Sequence, residues 1–446
     1  MKSTGLLIAA VILAALAGVL YWSNRHPASE DSSANASSGT SVKILSLNQA
    51  DITRLTIRGE GQPRVELAKN ASGLWQITAP KAFAADQDDV ASVLSSLSSL
   101  TSDRLIEQEI GDTAPYGLSK PQLEIDVALK DSKEQKLLIG DQTPSGSTYY
   151  AMVAGNPRLF TIASYHKTSL DKSANDLRDK RFLTADFDKV SQIELRNDAK
   201  KQELTLARNK DGWQVLKPAP YRADTEQVDE FVRALREAKM DLSSTTDDAK
   251  MAAAFKSAEL FGDAKVTGAS GTQELEVRRS KDQTDYYARS SAVAGIYKLA
   301  STTGTGLNKG LDDFRNKKLF DFGYQEPEKI EIRDAQKSYF LTRSGSDWWG
   351  PDGKKLDAST IDPVVEKLRG LAATKFLNSG FSAPLLQLTV ASNEGKRVER
   401  VSIARNGDTY VAKRENEAAL YELPSSVKDL QDAVSKIKPV ATQSAK

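Results

Sequence analysis

The chain has two hydrophobic patterns, a continuous one at the N-terminus and an alternating one after it. Residues 5–22 form an apolar run of 18 residues without a charge. In a helix, that run spans about 27 Å, close to the roughly 30 Å of a bilayer's hydrocarbon core. Tyr21 and Trp22 close it with rings that favour the membrane interface. We therefore predict a transmembrane anchor at residues 1–22 and a flexible polar tether at residues 23–41.

A cleavable signal peptide is the alternative for this segment, because Ala15-Leu16-Ala17 resembles a small-x-small cleavage site. The apolar run continues past that site to Trp22, which favours an anchor that is not cleaved. Lys2 precedes the run and Arg25 follows it, so the cations only weakly favour a cytoplasmic N-terminus. We expect a single-pass protein of the inner (cytoplasmic) membrane whose body is extracytoplasmic, in the periplasm.

After Val42, one pattern of strands and helices occurs three times. Each copy has alternating apolar and polar strands, a strand with a Trp, an Asp followed by an amphipathic helix, and three or four more strands. Two independent markers give the spacing of the first two copies: Trp213 follows Trp75 by 138 positions, and Tyr286 follows Tyr149 by 137. Their agreement indicates an internal duplication.

The third copy is shorter in its middle. Trp348 follows Trp213 by 135 positions, whereas Tyr410 follows Tyr287 by only 123. Because hairpin-length loops join the strands, we expect mostly antiparallel sheets.

The predicted fold class is therefore α+β, with an N-terminal transmembrane helix followed by three repeated, mostly antiparallel modules. We place the modules at residues 42–186, 187–324 and 325–438, the last one shortened. A disordered tail is predicted at residues 439–446.

The composition excludes several kinds of chemistry. Lys and Arg number 61 against 60 Asp and Glu, so no overall field attracts nucleic acid. The chain has no Cys, which excludes disulfides, thiolate metal sites and a lipoprotein-type anchor. Of the two His residues, His26 lies in the tether and His166 near a predicted closing helix. We predict no catalytic residue set, no cofactor and no metal site.

Carboxylates are the remaining catalytic candidates. Asp86, Asp224 and Asp357 occupy matching places in the three copies and could be acid/base groups or metal ligands. Each stands directly before a helix, where Asp accepts hydrogen bonds from free backbone amides, and we interpret all three as helix caps. Residues 304–310 are glycine-rich but lack the spacing of a phosphate-binding loop, so we predict a flexible loop there.

The tryptophans have two predicted roles. Trp75, Trp213 and Trp348 recur at one position of the repeat, which favours packing in the core of each module. Trp349 directly follows Trp348, so along a strand the two rings point to opposite faces. Trp349 is therefore the one candidate contact residue for a partner or a glycan.

These features resemble bacterial proteins of domain-of-unknown-function family 4340. The resemblance rests on the anchor, the tether, the Gly-x-Trp-x-hydrophobic strand at residues 73–77 with its Gly-Trp-x-hydrophobic counterpart at residues 212–215, and the Tyr-Tyr-Ala strands at residues 149–151 and 286–288. It covers about residues 50–435. It implies an anchored envelope protein, often encoded beside genes of ABC transporters and gliding-motility-type permeases. It carries no catalytic residues over to this chain.

Three functions follow as hypotheses. The first is a non-enzymatic, membrane-anchored scaffold or accessory subunit, with an ABC-transporter permease or ATPase or another envelope protein as its partner. The second is a binding module for a cell-wall glycan or peptide that uses Trp349. The third, a carboxylate-dependent hydrolase such as a glycosidase, needs two converging carboxylates, and the sequence offers no special pair.

Overall fold

The computed structural model describes residues 42–210, 212–243, 247–334 and 337–440. The predicted anchor and tether lie outside this range. Within it, no helix combines the length and the apolar character needed to cross a membrane. The chain divides into two compact units, one ending at Asp179 and the other starting at Lys180.

Among residues 42–179, the described part of the first unit, the chain forms one nine-stranded antiparallel sheet and three α-helices. Its strands are β1 (Ile52–Gly59), β2 (Val65–Lys69), β3 (Trp75–Ala79), β4 (Phe83–Ala84), β5 (Arg104–Glu107), β6 (Leu123–Leu129), β7 (Glu134–Gln142), β8 (Thr148–Val153) and β9 (Leu159–Ala163). Its helices are α1 (Gln87–Ser98), α2 (Ser164–Leu170) and α3 (Ala174–Leu177). The order across the sheet is β4-β3-β2-β1-β6-β7-β8-β9-β5.

The second unit contains two further nine-stranded sheets. The strands of the second sheet are β10 (Val190–Asn197), β11 (Gln202–Asn209), β12 (Gly212–Lys217), β13 (Tyr221–Arg222), β14 (Met240–Asp241), β15 (Glu259–Gly268), β16 (Gly271–Arg279), β17 (Tyr286–Ser290) and β18 (Ile296–Leu299). Those of the third are β19 (Lys329–Asp334), β20 (Ser338–Ser344), β21 (Asp347–Trp349), β22 (Lys355–Leu356), β23 (Lys375–Leu377), β24 (Leu386–Ser392), β25 (Arg397–Asn406), β26 (Thr409–Arg414) and β27 (Leu420–Leu423).

The second unit also contains six helices: α4 (Thr225–Arg236), α5 (Asp248–Ser257), α6 (Ser301–Gly306), α7 (Leu311–Phe314), α8 (Ala358–Arg369) and α9 (Val427–Ser435). The strand orders of the two sheets, β13-β12-β11-β10-β15-β16-β17-β18-β14 and β22-β21-β20-β19-β24-β25-β26-β27-β23, repeat that of the first. The prediction of three repeated antiparallel α+β modules is confirmed.

Helices cover one face of each sheet. In β19, Ile330 and Ile332 are buried, Lys329 and Arg333 on either side of them are exposed and Glu331 between them is partly exposed, which is the period-two alternation of a half-buried strand. The helix α8 presents one apolar stripe, residues 361–368, to the same core. The core also contains the tryptophan of each repeat, as predicted for Trp75, Trp213 and Trp348.

The glycine-rich stretch at residues 304–310 is not wholly a loop, so this prediction is wrong in part. Its first three residues belong to α6. A Cβ on Gly304 would lie 2.5 Å from ring atoms of Tyr286, so only glycine lets this helix approach the ring.

Each connecting segment packs with the module that follows it. Phe182 and Leu183 lie in the core of the second sheet, and Leu319 and Phe320 in that of the third. The backbone of these segments pairs with the residues that follow α4 and α8. The boundaries predicted from the sequence, 186/187 and 324/325, assign both segments to the preceding module. At the other end, pairing of Pro439 and Val440 with the β22 segment extends two residues into the predicted tail.

The joint between the second and third modules is a buried cation between two aromatic rings. The Arg315 side chain is 9% exposed, and its guanidinium lies 4.2 Å from the ring centre of Tyr221 and 3.5 Å from that of Phe376. Tyr221 belongs to the second module and Phe376 to the third, so the contact joins their cores.

A network of charged groups extends this joint. Arg222 on β13 donates to Asp321 Oδ2 at 2.6 Å, to Glu417 Oε1 at 2.8 Å and to the Lys318 carbonyl at 2.5 Å. Tyr421 donates its hydroxyl hydrogen to Glu417. Burial, together with this hydrogen bond to a carboxylate, raises the pKa of Tyr421 to about 12.

We predict that Arg222→Ala destabilises the second unit by about 2–3 kcal/mol, because it leaves the partly buried Asp321 without its cation and leaves Glu417 with Arg414 alone. Urea denaturation of the full chain in detergent, followed by tryptophan fluorescence, measures the change. The control is Lys355→Ala, which removes an exposed ion pair with Asp347 and should cost below about 1 kcal/mol. Equal small losses in the two variants would contradict the role given to Arg222.

Candidate functional site: the outer face of the third sheet

The candidate site is the face of the third sheet that points away from α8 and α9, here called the outer face. Residues paired directly across an antiparallel sheet share a face. Two rows of such residues define it. The first row is Trp349, Thr342, Lys329, Ala391 and Val398. The second row is Phe340, Glu331, Thr389 and Arg400.

Three apolar side chains of this face, Phe340, Trp349 and Val398, form what we call the apolar patch. Phe340 is 39% exposed and Val398 is 44% exposed, and the two line one cleft of about 470 Å³. Trp349 is half-buried and lies opposite Thr342, which lines the same cleft. Trp348, its neighbour, is 1% exposed in the core, so the two rings point to opposite faces as the sequence predicts.

The other two sheets carry polar residues where the third carries the patch. Judged by cross-strand partners, Trp349 occupies the position of Gln76 in the first sheet and of Gln214 in the second. By the same pairing, Phe340 corresponds to Glu66 and Thr205. Val398 corresponds to Glu134 and Thr272. The apolar patch therefore belongs to one repeat of the three.

Ion pairs neutralise four charged side chains on the outer face of the first sheet, whereas Arg54, at the position of Lys329, is exposed and in none of the ion pairs among the described residues. Arg58 contacts Glu124 and, at 2.9 Å, Asp126. Lys136 contacts the same two carboxylates at 2.8 and 3.1 Å. This closed group of two cations and two anions leaves no charge without a partner at that place.

Ion pairs also join charged side chains on the outer face of the second sheet. Arg196 lies 2.9 Å from Asp263, and Glu276 lies between Arg278 at 2.8 Å and Arg289 at 2.5 Å. Burial raises the pKa of Asp263, which shows that this carboxylate is partly withdrawn from water.

The outer face of the third sheet has lost carboxylates and kept cations. Gln387 occupies the position of Glu124 and Asp263, and Thr389 that of Asp126. Glu331 is paired with Arg333, and Glu415 with Arg400 at 2.8 Å, whereas Glu328, which lines the cleft, is in none of the ion pairs among the described residues. At the hairpin end of the cleft, Glu394 pairs with Lys396 at 2.9 Å and its amide donates to Glu328.

Two lysines complete the face. None of the ion pairs among the described residues includes Lys329 or Lys413, which are both exposed. Lys413 lines a second cleft of about 520 Å³, which shares Glu331 and Thr389 with the first. The outer face thus combines an apolar patch with surplus positive charge.

The three matching Asp residues are helix caps, as predicted. Asp86 Oδ1 accepts from the amides of Asp88 and Asp89 at 3.0 and 3.2 Å. Asp224 Oδ1 accepts from the Gln227 amide at 3.2 Å.

In the third module, Asp357 Oδ1 accepts from Ser359 N at 3.1 Å and from Ser359 Oγ at 2.7 Å, and this hydrogen bonding lowers the pKa of Asp357. Across the described ranges, no three His, Asp or Glu side chains converge as a metal site would require.

His166 lies in α2 beside the exposed ring of Tyr165, at a centroid distance of 4.1 Å. Burial lowers its pKa, so the imidazole is neutral near pH 7. It belongs to the first unit, whereas the outer face belongs to the second.

Of the residues on the outer face, Trp349 is predicted from the sequence as a contact residue, whereas Phe340, Val398 and Lys413 are not. Each of the three missed residues is ordinary in a strand when it is considered alone. Comparison with the residues at the equivalent paired positions of the other repeats, such as Glu66 for Phe340, is the signal that finds them.

The family of the chain follows from its sequence match. Residues 75–216 and residues 213–389 each match the family described as a domain of unknown function (DUF4340). The chain belongs to this family. Each match starts at the core tryptophan of a repeat, Trp75 or Trp213, so the DUF4340 unit has the period of the duplication. No curated protein and no solved structure matches the chain.

We predict that Asp224→Asn leaves the stability of this DUF4340 protein nearly unchanged, because Asn caps helices as well as Asp does. Asp224→Ala removes the acceptor and should cost about 1 kcal/mol. Chemical denaturation of the two variants against the wild type measures the difference. A loss of stability in Asp224→Asn as large as in Asp224→Ala would contradict the capping role, because it would mean that the charge itself is required.

Proposed function

We propose that this protein is a non-enzymatic, membrane-anchored scaffold or accessory subunit that binds a partner protein through the outer face of its third sheet. The observation that carries this proposal is the apolar patch, which stands where the two equivalent sheets are polar. The partner we propose is a subunit of an ABC-transporter-type membrane complex. That choice rests on the predicted anchor and on the family resemblance.

The energetics of the patch support binding. Full burial of a side chain such as Phe or Val contributes about 1.5–3 kcal/mol, and because Phe340 is 39% exposed and Val398 is 44% exposed, a partner that covers their remaining surface gains a part of that amount from each. Their rows face away from the helices of the module, so this exposed surface is available to a partner. Contiguous exposed apolar residues with a polar rim are typical of protein interaction sites.

The positions of the carboxylates support a role without catalysis. Asp86, Asp224 and Asp357, the repeated candidates for acid/base chemistry, direct their oxygens at backbone amides of their own helices. Such hydrogen bonds hold the accepting oxygen against the helix N-terminus, where it is poorly placed to transfer a proton to a substrate.

A pull-down tests the proposal. The full chain is crosslinked in its own membranes and purified, and the partners are identified by mass spectrometry. We expect transporter subunits with the wild type, and a loss of at least tenfold in recovery with the double variant Phe340→Glu, Val398→Glu. These substitutions install the residues that the first sheet carries at both positions, Glu66 and Glu134, so the fold accommodates them.

The matched control is Tyr324→Glu, which changes an aromatic residue that is 97% exposed outside the patch. It should recover partners as the wild type does. Equal recovery with the double variant, or recovery of the protein alone from wild-type membranes, would contradict the proposal.

A cell-wall glycan is the second candidate ligand. The observation that favours it is the combination of Trp349 and Phe340 with the amide of Gln387 and the hydroxyls of Thr389 and Ser402 on one face. Aromatic rings that stack on sugars, beside short polar groups, suit a carbohydrate surface.

This candidate predicts saturable binding of the full chain to isolated cell-wall material. Trp349→Gln, which installs the residue of the first two sheets, should weaken that binding by at least tenfold because it removes the stacking ring. Co-sedimentation measures it, with Trp22→Gln in the predicted anchor as the control. Absence of binding by the wild type would exclude the glycan.

A further inference from the structure

The second module shows how an outer face of this fold is covered. Its helix α5 lies against β17 and β18 on the side away from α4, where Met251 and Phe255 pack on Tyr287. The guanidinium groups of Arg278 and Arg289 lie 4.8 and 5.4 Å from the ring centre of Phe255. An amphipathic helix with an aromatic residue held by cations is thus a cover that this sheet already accepts within the same chain.

The third module has no such helix of its own. Its chain runs from β23 at Leu377 to β24 at Leu386 in eight residues, whereas the second module uses α5 in the corresponding connection. The shortening of the third repeat therefore leaves β26 and β27, the equivalents of β17 and β18, without a helix of their own on the outer face.

The face accepts a helix more readily than an extended peptide. The backbone groups of β20, β19, β24 and β25 are paired with one another, so a strand laid on this face would find no free N–H or C=O groups. A helix satisfies its own backbone hydrogen bonds and can bury an apolar stripe in a groove. The first row crosses five strands, about 19 Å, which a helix of about 13 residues spans.

The charges of the face select the polar side of that helix. The strand positions carry the cations Lys329, Arg333, Arg400 and Lys413 against the carboxylates Glu331 and Glu415, and both carboxylates are already paired. An incoming acidic side chain therefore meets Lys329 or Lys413 without competing for a partner. Arg333 also lies 5.7 Å from the ring centre of Phe340, as arginines lie beside Phe255 in the second module.

From these observations we propose that the outer face of the third sheet is a docking site for an acidic amphipathic helix of a partner protein. The apolar stripe of that helix covers Phe340, Trp349 and Val398, and its Asp or Glu side chains pair with Lys329 and Lys413. This inference rests on the proposed function, and it specifies the chemistry of the partner segment.

Synthetic peptides test it on the full chain reconstituted in nanodiscs. The probe is a fluorescent 14-residue peptide with Leu and Phe at helical spacing and Glu at the other positions. One control peptide replaces every Glu with Lys, and another scrambles the order so that no stripe remains. Fluorescence anisotropy measures the dissociation constants at low and at moderate salt.

We expect the acidic peptide to bind at least tenfold more tightly than either control, with an affinity that falls as salt rises. Phe340→Glu and the double variant Lys329→Glu, Lys413→Glu should each weaken it by at least tenfold, while Tyr324→Glu leaves it unchanged. Equal binding of the acidic and basic peptides, or unchanged binding to Phe340→Glu, would overturn the inference.

Other occupants of the face give different results. Binding of anionic lipid vesicles through Lys329 and Lys413 without peptide binding, or a dimer that Phe340→Glu dissociates, would also overturn the inference. Failure of the peptide alone is distinguishable from failure of the proposed function. In that case the membrane pull-down still recovers a partner that depends on Phe340, and the partner's docking segment is not an acidic helix.

Discussion

A nine-stranded sheet has two faces, and the helices that follow the three Asp caps, α1, α4 and α8, cover only one of them. The second face must be made compatible with water or covered by something else. The first sheet achieves this with a closed group of ion pairs around Glu124 and Asp126, and the second with ion pairs and the helix α5. On the outer face of the third sheet, Gln387 and Thr389 replace carboxylates of those ion pairs, and no helix among the described residues covers β26 and β27 on this face. Its apolar patch and surplus lysines are the consequence, and the functional proposals depend on that difference.

The joint between the second and third modules fixes the position of the outer face of the third sheet within the second unit. Arg315 is held between rings from two cores, and Arg222 reaches both Asp321 and Glu417. The connecting segment between these modules pairs with residues on both sides of it. Repeat proteins are held together by such contacts between neighbours. A rigid joint suits a protein that presents one surface to a partner, because little conformational entropy is lost when the partner binds.

Much of the fold could be predicted from the sequence because its strongest signals are periodic. Alternation marked strands such as β19, the i, i+3, i+4 spacing marked α8, and the spacing of Trp75, Trp213 and Trp348 marked the repeats. The capping role of Asp86 followed from its place before a helix.

The module boundaries were harder, because Phe182 and Leu319 look alike whether they close one core or open the next. The helix α6 was missed because glycine normally disfavours a helix, and here contact with Tyr286 outweighs that preference.

The candidate site was only partly predictable. Trp349 could be found from its neighbour Trp348, since two adjacent strand residues face opposite ways. Phe340 and Val398 could not, because their exposure depends on which strands lie side by side. Surface exposure of this kind is a property of the assembled sheet, and strand order is not contained in the local pattern of any one strand.

Site-specific photocrosslinking in native membranes tests whether the outer face of the third sheet, and not that of the other two sheets, contacts another protein. A photoreactive amino acid is placed at Thr342 on the outer face of the third sheet, and in separate proteins at the equivalent positions Ala68 and Ala207 of the other two sheets. We expect a discrete adduct with another membrane protein from position 342 and none from positions 68 and 207. Adducts from all three positions alike, or from none, would contradict it.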